Sequence, residues 1–190
     1  MIGNSNTLKI FFPGIKYSCD RSLLYFLDKY IDGDSIYLEY DLPRNIDVID
    51  DFQEKIKSSV DIAYERLSDI DWSKYGEIIL IGKSVGTVVA SKVREHFSLV
   101  RARFICLTPI NETLPFIKQT DFVVTSKQDK YIDITSLIKK QFIYPFLTIY
   151  EDLPHSLELP NDYHRTVKVL GEIIDLALNY LDTAYKDLLG

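Results

Sequence analysis

The chain has 190 residues, 46% hydrophobic and 26% charged, a balance that suits one soluble globular domain spanning residues 1–190 with a full core. Its 22 basic and 28 acidic residues leave a net charge of −6 and a pI near 5.1, so no basic surplus exists to neutralise nucleic-acid phosphates or to favour an anionic membrane surface. The first residues lack a basic segment followed by an apolar run, and the longest apolar runs are of strand length, so neither a signal peptide nor a membrane span is expected. Cys19 and Cys106 show no metal-ligand spacing, and Cys106 reads as a reduced core residue. A cytoplasmic protein without metal or cofactor is the expectation; oligomeric state is left open.

Leu8 to Phe12 is predicted as a strand, ended by Pro13-Gly14. A helix follows from about Asp20 to Tyr30, capped by Cys19 or Asp20 and stopped near Gly33. Ser35 to Tyr40 reads as the second strand. Ile49, Phe52, Ile56, Val60, Ala63, Leu67 and Ile70 recur at helical spacing and predict a long amphipathic helix. Glu77 to Ile81 is the third strand, followed by a helix with Val85, Val88, Val89, Val93 and Phe97 on one face. Ala102 to Leu107 is the fourth strand, with a short helix at Asn111 to Ile117. Asp121 to Ser126 is the fifth, with a short helix at Thr135 to Lys140. Phe146 to Tyr150 is the sixth, and a final helix runs from Asp162 to about Leu188 with Tyr163, Val167, Leu170, Ile174, Leu178, Leu181 and Tyr185 on its apolar stripe. Strands alternating with helices mean parallel crossovers: an α/β fold, with a parallel sheet of about six strands in a three-layer α/β/α sandwich.

Gly82-Lys83-Ser84-Val85-Gly86 sits between the third strand and its helix. This is G-x-S-x-G where a strand turns sharply into a helix, and small residues two before and two after the serine let the two elements pack. The turn lifts the serine hydroxyl clear of the sheet. A phosphate-binding loop also ends in Gly-Lys-Ser, but it needs a glycine at position 77, which is Glu77; Gly76 is one residue too early. Lys83 is then the variable residue of the turn.

Ligands of a parallel sheet bind beyond the carboxyl ends of its strands, and a weak serine nucleophile there needs a base. Of three histidines, His155 alone lies in a loop after a strand. His96 falls near a helix end, and His164, in the first turn of the last helix, is the runner-up. Asp129, just past the fifth strand, is best placed to orient the imidazole; Asp152 reads as a turn residue and Asp121 as pointing to the opposite end of the sheet. The tetrahedral oxyanion needs preorganised donors. One is the backbone N–H of Val85; the other comes from Pro13-Gly14-Ile15-Lys16-Tyr17, with Ile15 favoured over Lys16 or Tyr17. Tyr17 either lines the acyl or alcohol site or packs its own loop, and with Lys16 it is a candidate substrate contact.

Phe12-Pro13-Gly14, the Ser84 turn, Asp129 and His155-Ser156-Leu157-Glu158 together resemble the α/β-hydrolase superfamily along nearly the whole chain. The likeness is to the small branch akin to dienelactone-hydrolase-like proteins, in which the turn often reads G-K-S-x-G and the histidine is followed by Ser-Leu-Glu. It implies a minimal α/β-hydrolase fold with Ser84 as nucleophile, His155 as base, Asp129 as orienting acid and an oxyanion loop at Gly14-Ile15. By that resemblance the first strand here corresponds to the family's third, no lid insertion separates the strands at Phe104 and Phe122, and Pro13 stands where many relatives place histidine. The expected activity is that of a serine hydrolase, a carboxylesterase acting on small esters or thioesters. The alternatives are an amidase or peptidase using the same triad, or a non-catalytic binding module on the same scaffold.

Overall fold

Successive apolar residues along the central strands point to opposite sides, so each strand serves two cores. The computed structural model describes residues 6–40, 52–140 and 145–183. Its strands are β1 (Thr7–Phe12), β2 (Asp34–Tyr37), β3 (Glu77–Lys83), β4 (Arg103–Leu107), β5 (Phe122–Ser126) and β6 (Leu147–Tyr150). They form one six-stranded sheet in the order β2-β1-β3-β4-β5-β6, with every neighbouring pair parallel. The helices are α1 (Ser22–Tyr30), α2 (Phe52–Leu67), α3 (Val85–His96), α4 (Ile134–Lys140) and α5 (Tyr163–Asp182).

Leu8, Ile10 and Phe12 of β1, with Leu80, Phe104, Cys106 and Val123, pack against Ile56 and Ala63 of α2 and Val88, Val89 and Val93 of α3. The intervening residues Phe11, Ile79, Ile81, Ile105, Leu107 and Val124 face Leu23, Leu24 and Leu27 of α1 and Val169, Ile173 and Ala177 of α5. Helices on both faces of a wholly parallel sheet confirm the three-layer α/β/α architecture and its minimal α/β-hydrolase form.

Strand β1 lies between β2 and β3. The helix after β1 packs on one face of the sheet and the helix after β3 on the other. The two outgoing loops therefore diverge and leave a crevice at the carboxyl ends of these strands, a topological switch point. Among the described residues, no helix is long and apolar enough to cross a membrane.

Several expectations need correction. The second strand stops at Tyr37, although the Leu38 amide still donates to the Phe11 carbonyl, at 3.0 Å. Helix α1 begins two residues late, with Arg21 and neither Cys19 nor Asp20 at its cap: the Asp20 carboxylate is held by the Ser18 hydroxyl in the preceding turn. Cys19 instead is buried, its thiol directed at backbone carbonyls. The segment at Asn111–Phe116 is a 3₁₀ helix, and Pro115 inside it lacks the N–H that an α-helix would use. On α5 the buried stripe is Val169, Leu170, Ile173, Ile174, Ala177 and Tyr180, whereas Tyr163 and Val167 are exposed. Ile49, Tyr185 and Leu188 lie outside the described residues.

Two buried cations stabilise the frame by finding acceptors, as a buried charge must. Lys9 Nζ, on β1, donates to the carbonyls of Asp28 and Ile31 at 2.8 and 2.6 Å, serving the orphan carbonyls at the end of α1. Arg94 of α3 meets both carboxylate oxygens of Asp121, at 2.7 and 3.1 Å, and also donates to the Phe116 carbonyl at 2.6 Å. Asp121 thus lies, as expected, at the end of the sheet away from the crevice.

Candidate active site

The turn from β3 into α3 is tight because its glycines allow it. A Cβ on Gly86 would fall 1.9 Å from the Phe12 carbonyl oxygen, and one on Gly82 would fall 2.8 Å from the Thr87 Cα. Between them Ser84 adopts φ 56° and ψ −123°, a left-handed backbone that costs a non-glycine residue about 1–3 kcal/mol. Thr87 braces the turn, its hydroxyl 2.6 Å from the Ser84 carbonyl oxygen and 2.6 Å from the Thr113 hydroxyl. Ser84 itself stays partly exposed at the start of α3.

Three loops bring partners to this serine. His155 Nε2 is 2.8 Å from Ser84 Oγ, and His155 Nδ1 is 2.7 Å from Asp129 Oδ2. An ionised carboxylate only accepts hydrogen bonds, so Nδ1 carries the proton and the Nε2 lone pair faces the serine hydroxyl. Asp129 is anchored in turn by the Tyr131 amide, which donates to Oδ1 at 3.0 Å, and by the Thr125 hydroxyl, 3.3 Å from Oδ2. Burial by itself raises the Asp129 carboxyl, but these hydrogen bonds, that from His155 foremost, outweigh it and hold the group below its ordinary range. The Tyr131 ring lies against the imidazole, with centroids 4.7 Å apart. Ser126 couples the loops after β5 and β6, because its hydroxyl accepts from the Leu153 amide at 3.0 Å.

The loop after β1 closes the other side. Gly14 and Tyr17 bond each other's backbone, N–H to carbonyl, at 2.9 and 3.2 Å, which leaves Ile15 and Lys16 exposed at the tip. A Cβ on Gly14 would sit 3.2 Å from the Ser84 Cβ, so this turn lies directly against the serine. The Tyr17 N–H is committed to Gly14, which removes Tyr17 from the possible oxyanion donors. Its side chain is also spoken for: the residue is 6% exposed, and the hydroxyl donates to Glu158 Oε1 at 3.3 Å while accepting from the Leu23 amide at 3.1 Å. Tyr17 packs its loop and is corrected as a substrate contact.

The remaining candidates stand apart. His96 stacks on Tyr64 at 3.9 Å, at the end of α3, and His164 lies exposed beside Tyr163 on α5. Asp152 pairs at the surface with Arg165. Among the described residues no three His, Cys, Asp or Glu side chains gather as a metal-ligand set.

Lys83 has a place that its reading as a variable turn residue misses. The residue is 1% exposed beneath the turn, and Nζ donates to Thr108 Oγ1 at 2.5 Å and to the His155 carbonyl at 2.8 Å. Nζ also lies 5.0 Å from the centroid of the Tyr17 ring. Burial pushes the ammonium down to about 7, against the pull of the Asp129 and Glu158 carboxylates. A sequence signal for this burial existed: period-two alternation puts Lys83 on the same side of β3 as Ile79 and Ile81.

No protein-family model matches the chain, and no curated protein matches it in sequence. Solved structures do match its fold. An alpha-beta serine hydrolase homologue from Coxiella burnetii superposes with a TM-score of 0.52 at 13% identity, covering 90% of this chain and 84% of its own. Est1E from Butyrivibrio proteoclasticus gives 0.55 at 10% identity, with 96% and 91% covered. An esterase from Pyrococcus furiosus gives 0.52 at 15% identity, with 93% and 84% covered. With its parallel sheet flanked by helices and a strained serine turn between the third strand and third helix, the chain has the α/β-hydrolase fold.

Proposed function

We propose that this protein is a serine hydrolase that cleaves small carboxylic esters or thioesters through an acyl-enzyme on Ser84. The reading rests on one observation: an unbroken hydrogen-bond chain from Ser84 Oγ through His155 to Asp129, at 2.8 and 2.7 Å. As Ser84 Oγ attacks the carbonyl carbon, its proton passes to His155 Nε2, and Asp129 stabilises the resulting imidazolium. The carbonyl oxygen becomes an oxyanion facing the start of α3, where the Val85 N–H is one donor and Ile15 of the neighbouring turn the second. Proton transfer from His155 to the leaving oxygen or sulfur breaks the scissile bond. Water, deprotonated by the same imidazole, then releases the acid and restores Ser84.

Two fold neighbours point to the same chemistry by name, one as an esterase and one as a serine hydrolase homologue. The turn and the Ser-Leu-Glu that follows the histidine favour a place in the dienelactone-hydrolase-like branch. The test combines turnover of a short-chain aryl ester with mass-spectrometric detection of a fluorophosphonate adduct. Wild type carries the adduct on Ser84, and Ser84→Ala loses both adduct and turnover while keeping its fold. Full turnover by Ser84→Ala refutes the assignment, and a folded wild type that takes no label favours a binding module. A panel of esters, thioesters and amides ranks the substrate classes.

A further inference from the structure

Ser84 and His155 belong to loops from β3 and β6, strands separated in the sheet by β4 and β5. The histidine loop must therefore reach across two strand ends and hold its imidazole there. Pairing within the sheet does not position it, because residues 151–162 lie beyond β6. One side chain spans the gap from below. Lys83, the last residue of β3, reaches Thr108 at the end of β4 and then the backbone carbonyl of His155 itself. Each turn it ties contains a left-handed residue: Ser84 at φ 56°, Thr108 at 42° and Leu157 at 64°. Strained turns persist only where their surroundings over-determine them, and here a single ammonium bonds across two of these turns from a residue adjoining the third.

We propose that Lys83 is a positioning residue, whose ammonium fixes the histidine loop over Ser84 by bridging Thr108 Oγ1 and the His155 carbonyl. An apolar side chain of the same length would fill the space at a lower desolvation cost. What the ammonium supplies is direction. Its bond to the carbonyl of His155 limits both the height of the loop and the rotation of the peptide that carries the imidazole. The Tyr17 ring beneath the ammonium, itself tied to Glu158 in the same histidine loop, closes the bracket. The inference builds on the proposed hydrolase reading, but its primary readout does not depend on turnover.

The experiment compares wild type with Lys83→Met, Thr108→Ala and Thr108→Ser by proton NMR and by the rate of fluorophosphonate labelling. The Nδ1 proton of His155, held by the Asp129 carboxylate, gives an exchangeable low-field resonance. In folded Lys83→Met that resonance broadens or vanishes, and labelling slows by roughly 100-fold, the scale of a misplacement near 1 Å. Thr108→Ala shows the same direction of change and Thr108→Ser restores the wild-type signal. Retention of the resonance and of labelling within about twofold in Lys83→Met overturns the proposal. Should Lys83→Met not fold, the Thr108 pair decides: equal spectra for Ala and Ser overturn it. Wild type that resists labelling refutes the hydrolase reading alone, since the NMR comparison still tests the placement of His155.

Discussion

Replacing Ser84 by glycine and by alanine isolates the backbone strain of the turn. In both variants the hydroxyl and its 2.8 Å contact with His155 are gone, so the proteins differ by one Cβ. Ser84 sits at φ 56° and ψ −123°, where a residue with a Cβ bears about 1–3 kcal/mol of strain and glycine bears little. The turn has little room to relax, because Gly14 and Gly86 are already packed to the limit against Ser84 and Phe12. Against this, glycine loses about 0.5–1 kcal/mol more conformational entropy on folding. The balance favours Ser84→Gly over Ser84→Ala by about 1 kcal/mol, or roughly 2–4 °C in Tm for a chain of this size. Urea and thermal unfolding of both variants, followed by circular dichroism, measure the difference. In the interior of a helix or strand, where φ is negative, alanine would be the more stable. An alanine variant equal to or above the glycine variant would refute the strained-turn reasoning.

Arg94→Met leaves the Asp121 carboxylate buried without its bidentate partner, and Phe116 without a donor. The expected destabilisation is about 3–5 kcal/mol, or roughly 6–20 °C in Tm; a shift below about 2 °C would show the pair to be expendable. A second test uses the pH dependence of stability in wild type and Lys83→Met. Lys83 has a folded pKa of about 7 against 10.5 when solvated, lowered by burial and Arg21 and opposed by Asp129 and Glu158. Between those values the native state binds fewer protons than the unfolded state, so this group makes stability rise with pH, by up to about 1.4 kcal/mol per pH unit. Below about pH 7 the burial cost is present in full. Wild type should therefore gain on Lys83→Met from about pH 7 upward in denaturant titrations, and a difference that is flat across that window would contradict the buried charge.

Much of the site was legible because its residues follow strands whose apolar runs are unmistakable. Ser84, Asp129 and His155 each stand just past such a run, and parallel pairing sends all those ends to one side. Lys83 was harder to read. Its direction depends on β3 being covered on both faces, and its acceptors are a threonine and a backbone carbonyl remote in the chain. Tyr17 shows the same difficulty, since only the fold brings Glu158 to its hydroxyl. The misplaced stripe on α5 has a different cause: two adjacent helical faces are both apolar, and Ala177 and Tyr180 weigh little in a count of large aliphatics. The choice between them is made by the Phe122 ring and the Thr120 carbonyl, which receive Tyr180.

The histidine is carried by an outermost strand. Among the described residues, strand β6 has four residues and one neighbour, β5, whereas β3 is paired with β1 over Glu77–Gly82 and with β4 over Ile79–Lys83. Peripheral strands open at lower free energy than central ones. The serine thus follows an interior strand of the sheet and its partner an edge strand. On the proposed hydrolase reading, warming is expected to disengage the two before the interior opens, so that activity measured against temperature fails below the melting point.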